Sequence, residues 1–270
     1  MVKKFFQNIK TYLITKIKHL DLLYVMVATN FKMRYQNSVL GVVWVVIKPY
    51  VTFLVLYYVW SMYGAGSEIE YYPLYLLIGI IFYNYFQDLF LSGQMSLLDR
   101  AGIILKVSFP RQLAVLSALF NALITFLINS FLAIIIAIFT NPKFNVLGLL
   151  YFSYLAFILM VLIAGISFFT SVLTIRFRDL KNIAELVLFL LFWGTPIFYK
   201  VNDYRLTPEN ISLVLINPLT HLLAQVRAGF GLSYQIDISY AIMFTILSLF
   251  VFAIGWKNFN RRIRKVAEYF

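Results

Sequence analysis

Six long apolar stretches constrain this chain more than any other feature of its sequence. A helix that crosses a bilayer needs roughly 20 mostly apolar residues, and each stretch is close to that length. The predicted spans are Val39–Tyr63, Pro73–Leu98, Leu113–Phe139, Val146–Ile175, Ile183–Tyr199 and Ile238–Trp256. Only 13% of the residues are charged, against about 25% in soluble domains. The chain is therefore predicted to be an all-α membrane protein with six transmembrane helices.

The fifth predicted span is short and contains the sequence Gly194-Thr195-Pro196. Proline inside a helix removes one backbone hydrogen bond and clashes with the preceding turn. We therefore expect the helix to kink or end at this point, so this segment does not cross the membrane as one straight helix.

The basic residues determine the predicted orientation. If the N-terminus lies in the cytoplasm and six spans follow, all but five of the 23 Lys and Arg residues fall in cytoplasmic segments. The exceptions are Lys48 in the first span and Lys143, Lys200, Arg205 and Arg227 outside. This asymmetry follows the positive-inside rule, so both termini are predicted on the cytoplasmic side of the membrane. The net charge of +12 is scattered over several segments, which argues against nucleic-acid binding.

Two regions are predicted to lie at the membrane without spanning it. Residues Lys3–Lys18 place apolar residues at three-to-four spacing between lysines, which predicts an amphipathic interface helix, and Asp21–Gln36 forms a second helical stretch. Residues Lys200–Asp237 hold apolar pieces that are broken at Pro208, Asn217-Pro218 and Gly229-Phe230-Gly231. These pieces are too short to cross, which predicts re-entrant helices. The chain is predicted to be one membrane domain, with interfacial residues 1–36, a six-span core at 39–256 and a basic cytoplasmic tail at 257–270.

The sequence lacks the motifs of most catalytic sites. It has no cysteine and no GxxxxGK[ST] phosphate-binding loop. His19 and His221 are predicted on opposite sides of the membrane, so neither a catalytic nor a metal site is predicted. The ionisable residues Lys48, Asp88 and Glu185 within spans are isolated in the sequence, which argues against an ion-coupled carrier. Energy for uphill transport is expected to come from another subunit.

Five short motifs occur in order over residues 34–227. They are Arg34-Tyr35 with Leu40-Gly41, Trp44 and Lys48-Pro49; Lys106 with Phe109-Pro110-Arg111; Arg178-Asp179; Thr195-Pro196-Ile197; and Asn217-Pro218 with Arg227 beyond it. Together with the six-span pattern, they resemble the permeases of type-2 ABC exporters. The resemblance is closest to the branch that exports polysaccharides such as O-antigen, capsule and teichoic acid.

This resemblance implies a half-transporter. Two copies of the chain would form a homodimeric pore for a lipid-linked polysaccharide, and two ATP-binding cassette subunits would dock on the cytoplasmic face. Those partners would bind ATP and Mg²⁺, so no cofactor and no enzymatic activity are expected in this chain.

The first candidate site comprises Arg34, Tyr35 and Trp44, where the N-terminal helices lead into the first span. One interpretation is anchoring at the interface, with the arginine snorkelling and the tyrosine in the aromatic belt. The alternative is a gate that admits the lipid-linked substrate, because a guanidinium can pair bidentately with a pyrophosphate.

Two cytoplasmic loops are candidates for coupling to the ATPase. The loop Leu98–Pro110 is predicted to hold a short coupling helix with a charged face. The basic loop after the fourth span either reflects the positive-inside rule alone or is ordered by an internal Arg–Asp pair. The candidate coupling residues are Asp99, Arg100 and Lys106 in the first loop and Arg176, Arg178 and Asp179 in the second.

Aromatic residues crowd the first and fifth predicted spans. Interfacial belts and lipid-facing bulk explain most aromatic residues of membrane proteins. However, aromatic faces can stack on sugar rings, and phenol hydroxyls can hydrogen-bond to sugar hydroxyls, so a polysaccharide path is a second interpretation. Its candidate residues are Tyr50, Phe53, Tyr57, Phe189, Phe192, Trp193, Phe198 and Tyr199.

Two other functions fit parts of the same sequence. A permease of the same superfamily that exports a drug or a lipid would share the predicted topology. A membrane transferase acting on a lipid carrier would need acids or histidines clustered at one membrane face. Asp88, Asp99, Asp179 and Glu185 are spread along the sequence, which favours the transporter.

Overall fold

The computed structural model describes residues 2–36, 38–64, 69–104, 106–107, 109–140, 145–201, 207–232 and 234–263. These residues form α-helices, turns and loops, and no strand. The helices are α1 (Val2–Tyr35), α2 (Trp44–Met62), α3 (Tyr72–Met95), α4 (Ala101–Ile104), α5 (Gln112–Thr140), α6 (Val146–Arg176), α7 (Leu180–Gly194), α8 (Pro208–Ile216), α9 (Pro218–Gly229) and α10 (Ile238–Arg262).

The N-terminal region is one helix, not the two stretches that the sequence pattern predicts. Helix α1 runs without a break from Val2 to Tyr35. No proline or glycine lies between these residues, so nothing in the local sequence stops the helix. The chain then enters α2 through a 3₁₀ turn that begins at Gly41, whose φ of +48° suits a residue without a Cβ.

Five of the described helices are long and apolar enough to cross a membrane: α2 with its preceding turn, α3, α5, α6 and α10. Their number makes this a multi-pass membrane protein. Helix α7 has 15 residues, about 22 Å, and is shorter than a hydrocarbon core of about 30 Å. The predicted interruption of the fifth span is confirmed, because α7 ends at Gly194 and Thr195 is extended before Pro196.

Helix α3 is the centre of the bundle. Its Tyr75, Leu76 and Ile80 are fully buried, and it packs on α5 and α6, with α2, α7 and α9 also in contact. Helices α6 and α10 form the other extensive contact. Gly165 allows their close approach, because a Cβ there would lie 2.6 Å from the main-chain nitrogen of Phe252.

Helix α7 and the segment after it run antiparallel to α3. The Tyr83 hydroxyl donates a hydrogen bond to the Leu188 carbonyl. Nearer the N-terminus of α3, the Tyr72 hydroxyl donates to the Phe198 carbonyl at 3.1 Å. The extended segment beyond α7 therefore continues along α3 where the helix itself has ended.

Two short helices occupy the region between α7 and α10. The predicted breaks are confirmed, because α8 begins at Pro208, α9 begins at Pro218 and α9 ends at Gly229. The side-chain oxygen of Asn217 caps α9 by accepting a hydrogen bond from the Leu219 amide at 3.0 Å.

Candidate functional site

A polar cavity of about 680 Å³ lies between the end of α1 and helices α2, α3 and α5. Three charged residues line it: Arg34 of α1, Lys48 of α2 and Asp88 of α3. The Arg34 Nη2 lies 3.7 Å from a carboxylate oxygen of Asp88. Because Asp88 is about 10 Å from the Met95 end of α3, this charged cluster lies within the length of a spanning helix.

The cavity carries an excess of positive charge, since two cations face one carboxylate. Charges attract one another more strongly there than in bulk water, because the effective dielectric constant is lower. The amide side chains of Asn84, Gln87 and Asn129 also line the cavity, and amides both donate and accept hydrogen bonds. The cavity is suited to an anionic ligand that carries further hydrogen-bonding groups.

Two of the three predicted gate residues, Arg34 and Trp44, line this cavity. The side chain of the third, Tyr35, lies outside the described residues. Lys48 and Asp88 are isolated in the sequence, but the fold brings both to the cavity together with Arg34. Ionisable residues within membrane spans usually pair with one another, and that rule is the sequence signal that points to this cluster.

Helix α5 contributes a row of polar residues at every fourth position, Ser117, Asn121, Thr125 and Asn129. Residues four apart share one face of a helix. Thr125 and Asn129 line the first cavity, and Asn121 lines a second one. These residues are not among the predicted site residues, although their spacing within an apolar stretch is visible in the sequence.

The second cavity, of about 510 Å³, adjoins the first at Arg34, which lines both. Its wall includes Arg100, which is buried and donates hydrogen bonds to the Ala114 carbonyl and the Ser117 hydroxyl of α5. Burial lowers the pKa of Arg100 to about 10, against the opposing attraction of Asp99, so the guanidinium stays protonated at neutral pH. Arg100 therefore anchors the turn after α3 to α5.

The two predicted coupling loops lie at the same end of the bundle. Lys181, at the start of α7, is close enough to Asp99 to attract its carboxylate. A short helix, α4, forms within the first loop, as its sequence predicts, and Lys106 beyond it is exposed.

The loop between α6 and α7 exposes its charged residues. Arg176, Arg178 and Asp179 all have exposed side chains. The Arg176 guanidinium lies 5.2 Å from the centroid of the Phe177 ring, and Asp179 precedes α7 without a side-chain capping bond. These side chains lie on the surface at the end of the bundle that also carries α4.

Aromatic residues of the predicted path meet where α2, α3 and the end of α7 come together. Phe53 stacks on Tyr57 with ring centroids 5.8 Å apart, and Tyr57 lies 6.0 Å from Tyr72. Trp60, which is not among the predicted path residues, stacks on Phe198 at 4.4 Å. We call this group the aromatic side of the bundle.

The other predicted path residues differ in burial. Phe198 is only 3% exposed, and Phe192 packs near it at 6.2 Å. Phe189 and Trp193 are 59% and 48% exposed, so they face outward from α7. Tyr50 and Tyr199 are half-buried. The Tyr50 hydroxyl donates to the Asn129 carbonyl at 3.3 Å, and the Tyr199 carbonyl accepts from the Tyr75 hydroxyl at 3.1 Å.

Two of the sequence motifs contact each other at the far end of α7. The Asn217 side chain donates to the Thr195 hydroxyl at 2.9 Å. Arg227, fully buried in α9, donates to the carbonyls of Pro196 and Ile197 at 2.8 and 2.7 Å. The Thr-Pro-Ile motif and the Asn-Pro motif with its distant arginine are therefore parts of one structural unit.

The sequence signature of the ABC-2 type transporter family matches residues 21–231. The chain belongs to this family. The match covers more than half of the chain and includes all five motifs, so the resemblance to type-2 ABC permeases is confirmed.

Curated relatives match this ABC-2 family member over most of its length. An O-antigen export system permease protein RfbA of Klebsiella pneumoniae is 26% identical over 249 residues, which cover 92% of this chain and 94% of that protein. The protein of the same name from Myxococcus xanthus is 23% identical over 211 residues, or 77% and 80% of the two chains.

Both cavities of this ABC-2 family member lie inside the matched region, as do the aromatic side and the Arg227 contacts. Among its five long apolar helices, only α10 lies beyond that region. The candidate site is thus built from the part of the chain that defines the family.

Proposed function

We propose that this chain is the transmembrane subunit of an ATP-driven exporter for a lipid-linked polysaccharide of the O-antigen, capsule or teichoic acid type. The observation that carries this proposal is the cationic cavity within the spans, which suits the diphosphate of a lipid carrier. The names of the curated relatives, which are O-antigen export permeases, support the same substrate class.

The proposed gate lies at the junction of α1 and α2. Arg34 and Lys48 hold the diphosphate, and Trp44 and Tyr35 border the opening through which the lipid is admitted. Asp88 is the counterion of these cations when the cavity is empty, which is supported by its 3.7 Å distance from Arg34. Helix α2 buries only two of its own residues, so little packing opposes its movement away from α3 and α5.

The proposed topology has six crossings, with both termini in the cytoplasm. The sixth crossing is α7 with the extended segment after it, and the antiparallel hydrogen bonds to α3 support this. In this arrangement α1 lies at the cytoplasmic interface, and α8 and α9 are re-entrant helices at the outer side. All 270 residues then belong to one permease domain, embedded in a bacterial inner membrane.

The proposed assembly is a homodimer with two ATP-binding cassette subunits, which bind ATP and Mg²⁺. They dock where α4 and the loop between α6 and α7 lie together, and this shared position supports coupling through both loops. Asp99, Lys106, Arg176, Arg178 and Asp179 form the charged contact surface, and Arg100 holds α4 in place through α5.

The proposed polysaccharide path follows the aromatic side of the bundle, between the two copies of the chain. Phe189 and Trp193 support this placement because they are exposed and aromatic rings contact sugar faces favourably. The remaining candidates of the path are Tyr50, Phe53, Tyr57, Phe192, Phe198 and Tyr199.

The proposal is tested by purifying the tagged chain from the membranes of its own host and by deleting its gene. We expect an ATP-binding cassette subunit to co-purify, and the deletion to remove the polysaccharide from the cell surface while its lipid-linked form accumulates inside. A deletion strain with normal surface polysaccharide and no internal accumulation would show that the proposal is wrong.

A further inference from the structure

The two asparagines on the polar face of α5 use their side-chain nitrogens within the helix. The Asn121 side-chain nitrogen donates to the Ser117 carbonyl at 2.9 Å, and the Asn129 side-chain nitrogen donates to the Thr125 carbonyl at 2.9 Å. Each asparagine thus satisfies a donor within its own helix. Both side chains are at least nine-tenths buried, so bulk water does not freely reach their oxygens.

Three acceptor oxygens on this face have no partner among the described residues. They are the side-chain oxygens of Asn121, Thr125 and Asn129. A buried polar atom without a partner destabilises the folded protein, and such atoms in native structures usually point to an unseen partner. Apolar side chains at these positions would avoid that cost, so the oxygens point to a ligand.

The wall opposite α5 is complementary in chemistry. Asn84 and Gln87 of α3 line the same cavity as Thr125 and Asn129. Their amides donate as well as accept, while the α5 oxygens accept. A hydroxyl group both donates and accepts, so a polyhydroxylated ligand can satisfy both walls. The cations Arg34 and Lys48 line the same cavity beside a single carboxylate, Asp88, and this charge excess favours a ligand that also carries an anion.

We propose that the α5 face, with Asn84 and Gln87, is a sugar-binding subsite that holds the sugar attached directly to the lipid diphosphate. This inference rests on the proposed function and adds a specificity site to it. The carrier diphosphate binds at Arg34 and Lys48, and the first sugar donates hydroxyl hydrogen bonds to Thr125 and Asn129. The transporter thereby distinguishes a loaded carrier from an empty one before export.

The substitutions Thr125→Val and Asn129→Leu test this assignment because each keeps the branching and the number of side-chain heavy atoms while it removes the oxygen. If the oxygens serve only the fold, their removal lowers the melting temperature. If they serve a ligand, the melting temperature is unchanged or higher, because an unpartnered buried polar atom is lost.

The measurement is lipid binding to the purified permease–ATPase complex in nanodiscs. The two probes are a polyprenyl diphosphate and the same lipid with one sugar attached. We expect the wild-type complex to bind the sugar-bearing lipid more tightly. Each variant is expected to weaken that binding about fivefold, the equivalent of one hydrogen bond, and to leave binding of the bare lipid unchanged.

Two controls define the comparison. Arg34→Gln is expected to weaken the binding of both lipids, because it removes a diphosphate contact. Thr170→Val removes a hydroxyl from α6 that bonds to its own helix, and it is expected to change neither affinity.

Four outcomes overturn the subsite. The first is that both variants bind the sugar-bearing lipid as tightly as the wild type, which means that only water fills the cavity. The second is that both variants lose affinity equally for the two lipids, and the third is that both variants melt at a lower temperature. The fourth is that the wild-type complex binds the two lipids with equal affinity. In the last case the proposed function stands, because the diphosphate still binds. A wild-type complex that binds neither lipid contradicts the proposed function as well.

Discussion

Arg227 and Tyr75 are joined by one cation–π contact and two hydrogen bonds. The Arg227 guanidinium carbon lies 3.4 Å from the centroid of the Tyr75 ring, and Nε and Nη2 each donate a hydrogen bond to the Tyr75 carbonyl at 3.3 Å. Nη1 donates to the Pro196 carbonyl, and Nη2 also donates to the Ile197 carbonyl. One buried side chain therefore joins α9, α3 and the segment that follows α7.

Replacement of Arg227 by lysine is expected to destabilise the protein. An ammonium lacks the planar fork that serves several carbonyls at once, and each buried carbonyl left without a donor costs about 1–3 kcal/mol. We expect a clearly lower melting temperature for Arg227→Lys in detergent, measured by tryptophan fluorescence. The exposed Arg261 provides the control, since Arg261→Lys is expected to melt like the wild type. Equal melting of the two variants contradicts this role.

A methyl group at Gly79 is expected to disturb the same contacts. A Cβ there would lie 2.7 Å from Nη2 of Arg227 and 3.2 Å from Cγ2 of Ile197, so Gly79→Ala displaces the guanidinium from its carbonyls. At Gly102 nothing lies within 4 Å of a Cβ, and Gly102→Ala is the matched control. Thermal unfolding of both variants tests this, and the prediction fails if Gly79→Ala is the more stable of the two.

Removal of the Lys48 charge is expected to reduce export more than stability. Lys48→Met leaves the Asp88 carboxylate with Arg34 but weakens the site for a diphosphate. Loss of one charge-assisted hydrogen bond of about 2 kcal/mol corresponds to on the order of 30-fold in affinity. Surface polysaccharide in a complemented deletion strain measures the effect. Lys48→Arg is expected to retain part of the export activity. Lys32 is an exposed lysine on α1, and Lys32→Gln is expected to leave export unchanged.

The outward-facing aromatic residues are expected to be needed for export but not for folding. Tyr57→Ala removes a ring of the aromatic side, and Trp193→Ala removes a ring that lies 5.5 Å from Phe198 of that side. Both side chains are exposed, so neither change opens the buried core. We expect reduced surface polysaccharide at normal protein levels in the membrane. Phe131→Ala, at an exposed ring on α5, is expected to have no effect. Normal export by both aromatic variants would rule out this path.

Helix boundaries were the most predictable part of the structure because they depend on local sequence. Pro196, Pro208 and Pro218 each stop or start a helix within a residue or two of the expected position. The single N-terminal helix was harder to predict, because two amphipathic patterns can follow each other along one helix without a break.

The sequence pointed to two residues of the cavity, Arg34 and Trp44, but not to its full lining, which depends on which helices are neighbours. Lys48 and Asp88 are 40 residues apart in the sequence, and only the packing of α2 on α3 places them at one cavity. The burial of Arg100 was also not predictable from its neighbours in the sequence. Its position in a charged loop indicates exposure, whereas its guanidinium is buried against α5.

ATP-driven transport in liposomes tests the central claim most directly. The chain is reconstituted with and without its ATP-binding partner, and the outward movement of a fluorescent lipid-linked oligosaccharide is followed. The account predicts transport that requires both the partner and ATP and that Lys48→Met strongly reduces. Transport by the chain alone, or movement of the lipid at the same rate without ATP, would contradict it.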